Sequence, residues 1–192
     1  MVFSLKNLSR NFLIATHEIS DSVFADTIIW LSEHSKDGAR GFIMNINAPS
    51  HVRHLLTEKL KFEMDLPDSM PLSIGGPVDP QNVFLVHSQP ELYKQAIEIG
   101  GHLYMSFMRS DIYQATFIED ESHYKGIFAG CCVWSPGQLE SEVINNDWLL
   151  SDVDPLNVLS VPANERHAFL LSELNITMKD IIPSKKRTRL DA

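Results

Sequence analysis

Two adjacent cysteines, Cys131 and Cys132, stand just before a helix start marked by Ser135-Pro136-Gly137-Gln138. A thiolate beside a helix N-terminus has its pKa lowered, which would make one of them a nucleophile or an oxidation sensor. Successive strand residues face opposite sides, so only one of the pair can meet any given site. No histidine or acid lies near them in sequence to act as base. A buried, inert role as small core residues is the favoured reading. Neighbouring cysteines bridge only through a strained ring, so no disulfide is expected and a reducing cytoplasm is the simplest setting.

The other chemistry-bearing patterns are thinner. The backbone N–H groups at 136–138 can hold an anion, yet neither GxGxxG nor GxxxxGK[ST] occurs, so a plain capped helix is expected. His51 and His54 are three apart on a helix, but without HExxH they read as a solvated face. Glu140 and Glu142 are two apart and point in different directions. They complement the helix dipole and do not form a carboxylate pair. No GxSxG elbow supports a serine hydrolase. Trp134 and Trp148 flank the same helix, with core packing as the first reading and an exposed aromatic at a partner interface as the second. No catalytic set, cofactor site or metal site is assigned.

The elements that would position these groups follow from periodicity and turn chemistry. Strands are expected over 12–16, 27–33 and 41–45, the last two joined at Asp37-Gly38, whose positions tolerate positive φ. Ser50 is expected to cap a helix with Val52, Leu55, Leu56 and Leu60 on one face, followed by a loop over 63–70. Leu72-Ser73-Ile74 leads through a sharp turn at Gly75-Gly76-Pro77 into a strand over 83–87. A hairpin turns at Gly100-Gly101, and Ser110 caps a helix running to about 118. Residues 125–133 read as a central strand. Pro136 is expected at the first helical position, with Gln138 completing a capping box from Ser135. Then come a strand at 148–150, an extended piece over 156–161 and an amphipathic helix over 165–174 ended by Asn175. Strands and helices interleave but some links are hairpins, so the fold is expected to be α+β: a mixed sheet covered by helices.

The chain has 192 residues, 44% of them hydrophobic and 21% charged, as expected for one globular domain over 1–183. Its net charge of -9 repels polyphosphate, which disfavours direct nucleic-acid binding. Residues 184–192 form a basic tail that is expected to be disordered. Met1 to Arg10 lacks a signal-peptide core and no apolar run has membrane-spanning length, so a cytoplasmic location is expected.

Taken together, Glu33-His34, Asp37-Gly38-Ala39-Arg40-Gly41 with Asn45, Gly75-Gly76-Pro77-Val78, His87, and Gly130 to Trp134 followed by Gly137-Gln138-Leu139-Glu140, Glu142 and Trp148-Leu149 resemble the bacterial YqgE/AlgH family. The resemblance runs from about Phe12 to Leu174. It implies a compact single domain whose mixed sheet is partly barrel-like, with no established reaction or cofactor. Members are often labelled transcriptional regulators, through one associated with alginate production. The chain departs from the pattern at Cys131, where an aromatic is usual, and at Val133, where a small residue is common. The expectation is therefore a non-enzymatic regulatory or protein-interaction domain. Its contact surface would be Gly75, Gly76, Pro77, Trp134, Gly137, Gln138 and Glu140, bound by a protein partner. The alternative is a thiol-dependent enzyme or redox sensor using Cys131 or Cys132.

Overall fold

The computed structural model describes residues 7–19, 22–60, 66, 70–118, 120 and 122–176. The basic tail, the expected domain boundary at 183 and most of the 63–70 loop lie outside them. In chain order the elements are β1 (Phe12–Ala15), β2 (Ile28–Ser35), β3 (Gly38–Ile43), α1 (Ser50–Leu60), β4 (Leu72–Ile74), β5 (Val78–His87), β6 (Ile97–Gly100), β7 (Leu103–Ser106), α2 (Arg109–Ala115), β8 (Lys125–Trp134), α3 (Gln138–Ile144), β9 (Trp148–Ser151), α4 (Pro155–Leu159) and α5 (Arg166–Glu173).

The nine strands form one sheet in the order β6-β7-β5-β8-β3-β2-β1-β9, with β4 attached to β8. Only the β4–β8 pair is parallel, so the sheet is mixed, as the sequence predicts. It curls without closing. The Trp30 indole donates to the Ile99 carbonyl at 3.0 Å across the concave side, while the path still ends at β6 and β9.

Apolar residues alternate along the strands and divide the core between the two faces. Phe12, Ile14, Trp30, Phe42, Phe128 and Cys131 pack on one face beneath Val158 and Leu159 of α4 and Leu170 and Leu171 of α5. On the other face, Leu13, Ile29, Leu31, Cys132 and Trp134 pack against Leu139 of α3. Leu72, Leu85 and Ile127 complete that side with Leu56 of α1 and Ile112 of α2.

Register reveals how β8 is threaded. Ile127, Phe128 and Ala129 pair with Leu72, Ser73 and Ile74 of β4, and the same three residues pair with Leu85, Phe84 and Val83 of β5. A strand residue has one neighbour per edge, so β4 and β5 flank β8 on opposite sides. The chain must therefore cross over β8 between Ile74 and Val78. Gly75, Gly76 and Pro77 make that crossing above Gly130 and Cys131. A Cβ on Gly75 would overlap the Gly130 carbonyl, and one on Gly76 would overlap the Cys131 backbone. Gly130 sits at φ +71°, where a Cβ would meet the Gly76 carbonyl and lie 2.9 Å from the Val78 carbonyl. Two backbones touch there, and no side chain fits between them.

Several sequence expectations change. Residues 155–159 form helix α4 instead of an extended piece. Asp154 accepts from the Leu156 N–H at 2.8 Å, and Pro155 occupies the first turn, where its missing N–H costs nothing. Ser110 lies inside α2, which Met108 precedes as N-cap. The buried Asp111 carboxylate instead collects the Ser106 hydroxyl at 2.7 Å and the Gln95 and Lys94 N–H groups at 2.9 and 3.2 Å. Burial alone would raise its pKa, but these donors hold it below the ordinary carboxylate value. In α1, the Val52 and Arg53 N–H groups bond to the Pro49 carbonyl, and Leu55 faces solvent. Asn175 ends α5 as expected: at φ +54° it lets its own N–H reach Ser172 and the Ile176 N–H reach Leu171, a Schellman closure.

His87 at the end of β5 is 1% exposed, and neither ring nitrogen makes a hydrogen bond of good geometry, the Gln89 backbone lying nearby. Its ring lies 4.3 Å from Tyr93 and 5.9 Å from Tyr104, centroid to centroid. Burial lowers its pKa to about 4, outweighing the Gln89 backbone and the charges of Asp111 and Glu91, which pull upward. The unfolded chain takes that proton near pH 6.5. Between these values the unfolded state binds more protons, so stability is lost as pH falls from 6.5 toward 4, by up to about 3 kcal/mol. Urea unfolding at pH 4.5, 6 and 7.5 checks this. His87→Phe should flatten the slope across that window, and an unchanged slope would assign it to other groups.

Candidate functional site

The junction between β8 and α3 is built from short-range geometry. Pro136 and Gly137 form the corner of a type II turn: the Gln138 N–H reaches the Ser135 carbonyl at 3.0 Å and Gly137 adopts φ +75°, ψ -5°. Pro136 is therefore a turn residue and not the first residue of the helix. One half of the expected capping box is present, since the Gln138 side-chain carbonyl accepts from the Ser135 N–H at 3.0 Å. The Ser135 side chain makes no cap, and Gly137 holds the N-cap position.

Glu142 organises the rest. Its Oε2 accepts from the indole N–H of Trp134 and of Trp148, both at 2.8 Å, and its Oε1 accepts from Gln138 Nε2 at 2.9 Å. The two indoles meet edge to face at 6.4 Å. One carboxylate thus ties the end of β8, the first turn of α3 and the start of β9. Glu140, on the next face of the helix, points to His34 Nε2 at 3.2 Å. His34 Nδ1 accepts the Leu8 N–H at 2.8 Å, while Nε2 lies beside Glu140 without a well-aligned hydrogen bond. Both glutamates have specific partners beyond the helix dipole.

Of the candidate surface residues, Pro77, Gly137 and Gln138 are exposed and Glu140 is half-buried. Gly75 and Gly76 are buried in the crossing over β8, and Trp134 is 5% exposed, its indole in the core. The first reading of the tryptophans, core packing, describes both.

The cysteines face opposite sides of β8, as alternation requires, but both are buried. Burial raises the Cys131 thiol, against a smaller lowering by the Arg40 charge. Burial likewise pushes Cys132 up to about 12, with Cys131 adding to it. The Cys132 S–H points to the Gly75 carbonyl at 3.6 Å. The favoured reading of buried core cysteines describes both, and the lowering of the reactive alternative is absent because core side chains, and not the exposed end of α3, surround the sulfurs. Alkylation of the native protein across pH 5 to 9 is expected to modify neither cysteine until the protein unfolds. Mass-resolved labelling that finds one fast thiol would restore the redox reading.

Sequence reasoning passed over two features. Asp120, Ser122 and His123 lie together on one loop, but Ser122 Oγ and Asp120 Oδ2 both approach His123 Nδ1, at 2.7 and 3.1 Å. A relay needs the serine and the acid on different ring nitrogens, so this is no catalytic triad. The second is a set of exposed apolar side chains on and beside α2: Phe107, Met108, Tyr113 and Phe117 are 54, 40, 36 and 54% exposed. Tyr113 and Phe117 stack edge to face at 4.9 Å. The i, i+4 spacing was visible, but spacing alone does not say which way a short helix turns. Among the described residues, no group of three or more His, Cys, Asp or Glu is placed to hold a metal, and no helix is long and apolar enough to cross a membrane.

Comparison with known proteins matches residues 12–179 to the AlgH-like family model. A UPF0301 protein of Ralstonia pickettii is 32% identical over 174 residues, covering 90% of this chain and 91% of the relative. One from Cupriavidus metallidurans is 31% identical over 171 residues, covering 88% and 90%. The solution structure of the AlgH protein from Pseudomonas aeruginosa superposes with a TM-score of 0.74 at 26% identity, covering 100% of this chain and 99% of that one. Protein DIP2367 from Corynebacterium diphtheriae shares the fold, with a TM-score of 0.62 at 23% identity over 82% and 84% of the two chains. The family model and the relatives agree on one conclusion: this chain belongs to the AlgH-like family.

Proposed function

We propose that this chain is a non-catalytic protein-interaction domain that acts in regulation by binding another protein. The carrying observation is the exposure of Phe107, Met108, Tyr113 and Phe117 on and beside α2, with the Tyr113 and Phe117 rings in contact. Aromatic and methionine side chains dominate the energy of protein interfaces and are seldom gathered on a free surface. The contact surface of this reading is these side chains; Pro77, at the crossing over β8, and Gly137 and Gln138, at the β8–α3 junction, are exposed elsewhere. The net charge of -9 supports a protein partner over nucleic acid. The thiol alternative loses its support with two buried, raised thiols.

The test is quantitative partner capture with the full chain in its native host. Phe107→Ser with Phe117→Ser should remove the specific partners while leaving the thermal midpoint within a few degrees, and Gln138→Ala should retain them. A partner set unchanged by the double substitution would reject the α2 surface. Loss on Gln138→Ala alone would move the contact to the junction.

A further inference from the structure

The two ends of the open sheet differ in cover. At β9, Trp148 and Ser151 are 3% and 2% exposed. At β6, Ile97 is 41% exposed, with Glu98 and Lys94 exposed on either side of it. The far end of β6 is closed, where the Trp30 indole takes the Ile99 carbonyl and the Arg10 side chain lies against Gly100.

Register tells which backbone groups face the β6 edge. The Ser88 N–H bonds to the Tyr124 carbonyl, which continues the β5–β8 register and turns the even-numbered residues of β5 toward β8. Leu85 and His87 therefore bond to Ser106 and Tyr104 of β7, and Leu103 and Met105 are left to face β6. Met105 pairs with Ile97. Ala96 and Glu98 thus point their N–H and C=O groups away from the sheet. Among the described residues, no backbone hydrogen bond reaches them. Such an edge is a template for another strand.

We propose that the strand it takes is the β6 of a second copy of this chain, antiparallel about a two-fold axis at Ala96. Charge selects this register. With Ala96 opposite Ala96, Lys94 of each copy faces Glu98 of the other, so two ion pairs form at once. A shift of two residues, which keeps the outward groups opposed, sets Lys94 against Gly100 or Ala96 and makes neither pair. Among the described residues, the Lys94 ammonium has no ion-pair partner. Glu98 gives Oε1 to Arg10 at 3.3 Å, an exposed contact that leaves Oε2 for the second copy. Ile97 of each copy then stands opposite Gln95 of the other and diagonal to its Ile97, which covers an apolar side chain exposed in the single chain. The net charge of -9 on each copy opposes the approach, but salt at about 0.15 M screens it beyond ~8 Å. The self-contact goes beyond the reading above and adds a second surface to the one on and beside α2.

Sedimentation velocity of the full chain from about 1 to 500 µM tests it. A reversible monomer–dimer equilibrium is expected, with a dissociation constant of roughly 10–100 µM for so small a contact. Lys94→Glu and Glu98→Lys each set like charges together twice and should weaken the dimer about tenfold or more. Mixed one to one, the two variants should associate as strongly as the parent chain, because one copy then offers two acids and the other two bases. Both positions are exposed, so each variant should fold, which circular dichroism checks. Hydrogen exchange of the Glu98 N–H should slow as the dimer fills. A chain that stays monomeric would overturn the proposal and leave the edge to a foreign strand. Folded variants that dimerise unchanged, a mixture that does not recover, or a dimer whose Glu98 N–H stays unprotected would overturn it as well.

Discussion

Gly130→Ala is expected to leave little soluble folded protein. Alanine at φ +71° costs about 1–2 kcal/mol before any contact is considered. The added methyl would then overlap the Gly76 carbonyl and press on the Val78 carbonyl, both held by the crossing over β8. Backbone atoms cannot rotate aside as a side chain can. The total should exceed about 4 kcal/mol, in the range where single substitutions unfold small domains. Gly137→Ala is the internal control: at φ +75° it carries the same dihedral penalty, but nothing lies within 4 Å of the new methyl. It should cost only about 1–2 kcal/mol. Chemical denaturation of both variants separates close backbone approach from dihedral strain. Equal losses would mean that the crossing can relax.

Glu142→Ala should carry the second largest loss, about 3–5 kcal/mol, because it strips the shared acceptor from two buried indole N–H groups at once. Glu142→Gln is more instructive. Its single amide oxygen can face both indoles, but its NH₂ then opposes the Gln138 NH₂ that bonds to Oε1 in the native arrangement. A loss of about 1–2 kcal/mol is expected, as charge-assisted bonds become neutral and one is broken. Near-ultraviolet circular dichroism should report altered packing of Trp134 and Trp148 in both variants. A loss below about 1 kcal/mol for the alanine variant would show that water replaces the carboxylate without penalty.

How much of this was legible in sequence depends on the range of the interaction. Asp37-Gly38 and Gly100-Gly101 announced their hairpins because turn chemistry is local, although the connecting residues are Lys36-Asp37 and Gly101-His102, and the opposed faces of Cys131 and Cys132 follow from strand alternation. Residues 156–161 read as an extended piece, although Asp154-Pro155 just before them suits a helix start. Five residues carry too little periodicity to decide. Glu142 lies eight residues from Trp134 and six from Trp148, spacings that no single element makes adjacent, so its role waited for the fold. His34 and Glu140 meet only because β3 sets β2 near the end of β8. The family pattern of Gly75-Gly76-Pro77 and Gly130 was visible as residues. Its meaning was topological, and a linear string does not show which segment passes over which.

That passage also sets a timetable for folding. β4 and β5 leave a vacant lane between them until β8 arrives, after β5, β6, β7 and α2 have all been made. A chain emerging from the ribosome thus exposes two unsatisfied strand edges facing a gap of one strand's width. The polypeptide over the gap is already in place as a bridge under which, or against which, the later segment must settle. Pairing across such sequence separations slows folding, and edges that wait are the ones other chains can find. Refolding from urea should be slow for a domain of this size, and molecules truncated just before Lys125 should aggregate more readily than those extending past Trp134.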